Sequence, residues 1–366
     1  MTPTYSSTPL VVRGPDSLPA LIPHLVGFHP RESLVLVGLD SRERTVLVTL
    51  RVDLPGVDRV VGVAMEGWAP LITALQAAGA IDVLAVVYPG VGENPWRDHP
   101  CEDLPRRSLL AALADRLSGS GLVVLDALCV VGDRLRSYWC ADPDCCPREG
   151  RLVDGAETLR VQAHLIAEGS APLASRDMLV SALAPRAQDD PVADRIARSR
   201  DGVVLRLPVG TVARVGIFVS GMRDWGNERR NPATMTRLVI LAEFLAGSIR
   251  SRDLLLHALT VDGDRNLLAA AREVFGEAVR CAHGDTLAPV ASVLAVCCWI
   301  DGDGAAARVA LDRATSADVD YPLATLVSAA LDRGMPPRTW ISLMGEMCVA
   351  DILGDEADGP TNSCAS

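Results

Sequence analysis

Asp82-Val83-Leu84-Ala85-Val86-Val87-Tyr88, the helix-spaced run Leu104–Leu117, and Gly121-Leu122-Val123-Val124-Leu125-Asp126-Ala127-Leu128-Cys129-Val130-Val131 form the stretch that decides the fold. The two outer runs are short, apolar, rich in valine and bounded by turn residues, so they read as buried strands. Pro105 stands near the start of the helical run, where a missing N–H costs little. With the strand Thr45–Val52 and the helix-spaced Val60–Ala78 upstream, the order strand, helix, strand, helix, strand implies right-handed crossovers and a parallel segment of sheet. Upstream, Ser33–Leu39 and Thr45–Val52 flank the polar Asp40-Ser41-Arg42-Glu43 and read as a hairpin. Val60–Ala78 has helical spacing with Gly79 as its stop, and Leu18–Pro30 reads as a short helix or turn with a glycine stop. Downstream, Val130–Trp139 reads as a tight turn and a returning strand. The first half is therefore expected to be an α/β domain, a mixed sheet with covering helices.

The returning strand leads into Asp133–Gly150, which packs Cys140, Cys145 and Cys146 with two prolines and several acids into one loop. Four residues separate Cys140 from Cys145, the wide edge of zinc-knuckle spacing. Adjacent cysteines on an extended chain point to opposite sides, and Pro147 biases Cys146 toward extension, so Cys145 and Cys146 are expected to diverge. His164, Cys129 or Cys101 could complete a ligand set. Three readings stand: a buried thiol cluster that closes the loop, a site for zinc or a related metal, and a reactive thiol. Arg136, Arg148 and Arg151 would favour a thiolate, while Asp142, Asp144 and Glu149 would oppose it.

The totals narrow the chemistry. A chain of 366 residues suits two domains. No apolar run approaches the ~18 residues that span a bilayer, and the polar start lacks the basic-then-apolar order of a secretory signal, so a cytoplasmic location without membrane binding is expected. The net charge of −11 argues against general nucleic-acid binding; Arg223–Arg230 reads as a solvated helix end. All 35 basic residues are arginine. The chain thus offers neither the lysine of a P-loop nor a Schiff-base amine. Ten cysteines in this length do not form a disulfide scaffold, and Cys297 and Cys298 in Ala291–Ile300 read as core filler.

Two passages carry a family resemblance. One is Leu21-Ile22-Pro23-His24-Leu25-Val26-Gly27-Phe28-His29-Pro30 followed by Ser33–Leu39, and the other is Arg136-Ser137-Tyr138-Trp139-Cys140 with Cys145-Cys146-Pro147 and Gly150. Together they resemble the actinobacterial proteins grouped as domain of unknown function 4192. The likeness extends through Arg51–Pro55, Ser175-Arg176-Asp177 and Arg223-Asp224 to the helical end. It implies an intracellular actinobacterial protein and carries over no catalytic residue.

Other chemistry is weaker. His29, Arg31 and Ser33, with Arg136 and Tyr138, could frame a pocket, although Gly27 and Pro30 also explain that segment as a turn. Gly90-Val91-Gly92-Glu93-Asn94-Pro95 lacks the last glycine of a dinucleotide fingerprint. Asp301-Gly302-Asp303-Gly304 begins like a calcium loop, but Asp312 stands where a bidentate glutamate is needed.

Beyond Glu157–Ala167 and the Ser175-capped Met178–Leu183, the second half is read as helical. Val209–Met222 has β-branched residues but helical spacing, and is read as helix. Leu287–Ile300 with Ala305–Ala314, and Pro322–Leu331 with Arg338–Met347, read as two helical hairpins. The expected organisation is an α/β domain over 1–185, a link over 186–202, an all-α helical-hairpin domain over 203–354 and a disordered tail over 355–366. The leading functional expectation is a non-catalytic regulatory or scaffold protein whose helical half binds a protein partner. The alternative is a cysteine- or zinc-dependent enzyme centred on Cys140, Cys145 and Cys146.

Overall fold

The computed structural model describes residues 14–43, 45–55, 68–90, 104–187, 189–225, 231–261 and 263–354. It divides into two compact units, Met1–Met178 with Asp332–Met335, and Leu179–Leu331 with Pro336 onward. The part of the expected Val60–Ala78 helix before Trp68, the glycine-containing run from Val91 to Pro95, Cys101, residues 226–230 and the tail from 355 lie outside the described residues.

The first unit is built on β1 (Ser33–Leu39), β2 (Val46–Asp53), β3 (Asp82–Tyr88), β4 (Val123–Val131), β5 (Arg134–Ser137) and β6 (Arg151–Leu152). They form one mixed sheet in the order β2-β1-β3-β4-β5-β6. All seven residues of β1 are buried, as its unbroken apolar run requires of an interior strand, whereas β2 is the partly exposed edge. The parallel segment is smaller than the strand–helix alternation suggests. β1 lies antiparallel between β2 and β3, and β3 with β4 is the parallel pair among the described strands. Once β1 occupies the edge of β3, the chain leaving β2 cannot place β3 beside it.

Both faces of the sheet are covered. On one, α2 (Ala69–Ala77) and α3 (Arg107–Gly119) set Ile72, Leu75, Leu110 and Leu113 against Leu34, Leu36 and Ala85. On the other, α1 (Leu18–Val26) sets Leu18, Ile22 and Val26 against Val35, Val37 and Val86. α1 also packs on α4 (Gly155–Ala167) through Leu21 and the fully buried Val161. A Cβ on Gly38 of β1 would come within 2.8 Å of Leu75 and 2.9 Å of Val48 and Ala80, so a side chain cannot be admitted there. α5 (Arg176–Ala182) follows α4.

In the second unit, α6 (Pro191–Val204) occupies the stretch read as a link, begins on the Asp190 cap and packs on α8 (Pro232–Ala246). α7 (Thr211–Trp225) is a helix, as its spacing predicts over its β-branched composition. α9 (Ile249–Val261), α10 (Arg265–Cys281), α11 (Leu287–Ile300), α12 (Gly304–Ala317), α13 (Pro322–Asp332), α14 (Pro337–Glu346) and α15 (Val349–Leu353) complete the chain. α11 is apolar on every side and is buried from Leu287 to Trp299, the fate expected of such a helix. It packs on α8, α9, α10, α12 and α14. The tightest of these neighbours is α12, joined to α11 by the Asp301–Asp303 turn. α14 packs mainly on α9 and α11. The carboxylates that resembled a calcium loop are engaged elsewhere: Arg272 pairs with Asp301 and Asp303, and Asp303 also caps α12 by accepting from Ala306 N at 2.9 Å. No single helix among the described residues is long and apolar enough to cross a membrane.

Candidate metal centre in the cysteine loop

The loop is tied to the sheet at both ends before any cysteine is considered. Tyr138 is 1% exposed, donates its hydroxyl to the Pro105 carbonyl at 2.7 Å, and pairs its backbone N–H with the Ala127 carbonyl at 2.8 Å. Burial pushes the Tyr138 phenol well above its ordinary range, so it stays neutral and serves as a donor. The buried Ser137 donates to Asp126 Oδ1 at 2.7 Å and accepts from the N–H groups of Trp139 and Cys140 at 3.1 and 3.2 Å. One hydroxyl thus turns the chain out of β5 and fixes Cys140. On the return, Arg134 donates to the Gly150 carbonyl at 2.6 Å, Gly150 takes φ 69°, and Arg151 pairs with Asp16 at 2.6 Å. Asp126 and Arg134 were not singled out from the sequence, because their partners Ser137 and Gly150 lie 11 and 16 residues away, which no local spacing reveals.

Between these ties the chain makes a single helical turn. Cys146 N donates to the Asp142 carbonyl at 2.8 Å, and Asp144 N donates to Asp142 Oδ1 at 2.9 Å. That turn overturns the expected divergence of Cys145 and Cys146. Successive residues on a helical turn are rotated by roughly 100°, not 180°, so both thiols can face one point. Their Sγ atoms are 4.0 Å apart, and the Sγ atoms of Cys140, Cys145 and Cys146 all lie within 4.8 Å of one another. Cys146 is buried, Cys140 half-buried and Cys145 exposed. Burial pushes the Cys146 thiol up to about 11, against the pull of a backbone hydrogen bond from Ser137. Three convergent sulfurs are a set that could hold a metal ion. Cys129 and His164 are not part of the group; Cys129 sits in the core on β4 beside Tyr138.

The loop lies at the amino-terminal side of β4, since Ser137 and Tyr138 reach Asp126 and Ala127. Trp139 there lines an open groove of about 400 Å³ with Ser118, Leu122, Val123 and Val124. Ligands of open α/β sheets usually sit at the opposite, carboxyl rim. His29, Arg31 and Ser33 lie toward that rim, because Ser33 pairs with Tyr88 at the end of β3. They do not gather with Arg136 and Tyr138. Ser33 and Arg136 stand on strands three places apart, about 14 Å across the sheet. His29 and Arg31 are exposed, while Ser33 donates to the Arg31 carbonyl at 2.5 Å and accepts from Arg51 Nε at 2.9 Å. Arg136 is half-buried opposite Cys129.

No curated protein and no solved structure matches the chain. One family model does match, over residues 15–338, which takes in the sheet, the cysteine loop and most of the helical half. The chain belongs to the family described as domain of unknown function DUF4192.

Proposed function

We propose that this is a non-catalytic cytoplasmic regulator or scaffold that binds a protein partner through its helical half and holds zinc in the cysteine loop of its α/β half. The partner reading is carried by the exposed apolar side chains around the α6–α7 connection, where Leu205 is 84%, Val209 94% and Val212 54% exposed. Each such side chain contributes about 1.5–3 kcal/mol when fully buried in a complex, and apolar surface of this kind marks contact sites. The net charge of −11 favours a protein over a phosphate backbone as the ligand.

Because the chain has no lysine, amine coupling goes through its N-terminus and modifies no side chain of the helical half. Full-length protein immobilised in this way is expected to retain a partner saturably, and a Leu205→Asp/Val209→Asp variant with unchanged melting is expected to lose it. Equal retention by both, or none by the parent, contradicts the reading.

Zinc is supported by the sulfur spacing. A tetrahedral ion with Zn–S near 2.3 Å sets S···S at roughly 3.8 Å, against 4.0 Å for Cys145 and Cys146 and at most 4.8 Å within the set. Less than about 1 Å of closure is required. A zinc-dependent enzyme at the same loop is the second reading, favoured by the three-ligand set, which catalytic zinc sites share. The position away from the carboxyl rim of the sheet weighs against it.

A further inference from the structure

The zinc reading supplies three ligands to an ion that ordinarily takes four. We propose that the fourth position at Cys140, Cys145 and Cys146 stays open at the protein surface and takes a neutral nitrogen donor of the imidazole class from outside this chain. This rests on the zinc reading of the loop and goes beyond it by naming what completes the site.

The argument begins with the donors at hand. Among the described residues, the group of thiols, imidazoles and carboxylates able to share an ion here is confined to the three cysteines. Of the acids on the turn, Asp142 already accepts from Asp144 N through Oδ1, and its carbonyl accepts from Cys146 N. Closing the loop in this way uses Asp142 for backbone geometry.

Accessibility comes next. Cys146 forms the floor of the triangle at 6% exposure, while Cys145 is exposed and Cys140 half-exposed. An ion seated between a buried sulfur and an exposed one lies at the surface, within reach of an incoming side chain. Trp139, immediately before Cys140, is 42% exposed and walls the open groove beside Val123.

Charge then selects the donor. Three S–H protons leave to solvent when the ion binds, so a dipositive ion with three thiolates carries a net single negative charge. Asp142 and Asp144 add exposed negative charge on the same turn. A fourth thiolate would raise the repulsion further, whereas a neutral imidazole displaces a water and leaves the charge unchanged. Imidazole nitrogen also suits zinc as a ligand.

The test uses the full-length chain loaded with cobalt(II) in place of zinc, with a phosphine as reductant so that no added thiol competes. Sulfur-to-cobalt charge-transfer intensity counts the thiolates, and the ligand-field band in the red reports the fourth ligand. The expected result is three-thiolate intensity and a ligand-field band that shifts saturably with free imidazole at low protein concentration. A matching shift on raising protein concentration without imidazole would identify the donor as a histidine of a second copy, and its absence would leave the donor to another molecule. Four-thiolate intensity that falls to three in Cys101→Ser, or a band that imidazole does not move, overturns the open position. A shift produced by a small thiol and not by imidazole overturns the donor class. If no sulfur-to-cobalt band forms at all, the zinc reading itself fails.

Discussion

Cys145–Cys146 in the α/β half and Cys297–Cys298 in the helical half are both adjacent pairs, and the two halves treat them in opposite ways. Cys297 and Cys298 lie on α11 at 0% and 3% exposure, and burial pushes both thiols up, Cys298 to about 12. The helix around them is enclosed on every side, so two neighbours pointing in different directions both meet packed surface. Cys145 and Cys146 sit on a lone helical turn with protein on one side, so one is buried and the other exposed. Adjacency in sequence therefore says little about a cysteine. The enclosure of the backbone that carries it decides between core filler and ligand.

The sharpest way to break this comparison is native-state alkylation read by peptide mass spectrometry. Cys145 is expected to react at the rate of an accessible thiol. Cys297 and Cys298 must wait for local or global opening, which slows them by at least about 10³-fold. Comparable rates at the two pairs would remove the distinction.

Next in size is the anchoring of the loop. Tyr138→Ala empties a fully buried site where the loop leaves the sheet and is expected to cost about 3–5 kcal/mol in urea unfolding. Tyr138→Phe removes only the hydroxyl to Pro105 and is expected to cost about 1 kcal/mol. A Tyr138→Ala protein that unfolds like the parent would show that the loop is not held by the sheet. Third, Cys297→Ser places a hydroxyl in enclosed apolar surroundings and is expected to cost about 1–3 kcal/mol. Metal-free Cys145→Ser at the exposed position is expected to change stability by less than about 0.5 kcal/mol.

Much of this architecture was legible because it follows from local pattern. The unbroken apolar β1, the hairpin to β2, the β3–α3–β4 crossover and the enclosed α11 all follow from composition and period. α7 shows the period prevailing: Val215, Val219 and Met222 fall on one buried face although valine favours strands. What was not legible depends on contacts distant in sequence. The insertion of β1 between β2 and β3 depends on which edges remain free. The two-residue β6 has no pattern of its own and exists because Arg151 and Leu152 pair with β5. For the site, the residue types and their loop were legible. Their convergence was not, because it rests on a hydrogen bond from Cys146 N to Asp142 that an extended-chain argument before proline misses.

The smallest expected effect is on pH dependence. A thiol whose folded pKa is raised is protonated in the folded protein over a range where the unfolded chain has lost its proton. Its stabilising contribution is complete below the ordinary thiol value near ~8.5 and is lost as pH rises through the folded value. For metal-free protein, melting temperature should therefore decline from about pH 8.5 upward, through a window reaching about 11 for Cys146 and about 12 for Cys298. Cys298→Ala should flatten that decline with or without metal, whereas zinc should flatten the Cys146 part alone by keeping its sulfur deprotonated. A decline untouched by either change would contradict the assignment of raised thiols to both pairs.

The most direct test of the convergent thiols is zinc content per chain. Full-length protein would be loaded with zinc, freed of loosely held metal and measured for the parent, Cys145→Ser and Cys297→Ser. The account predicts one tightly held ion in the parent and in Cys297→Ser, and little in Cys145→Ser. No retained zinc in the parent, or as much in Cys145→Ser as in the parent, would contradict it.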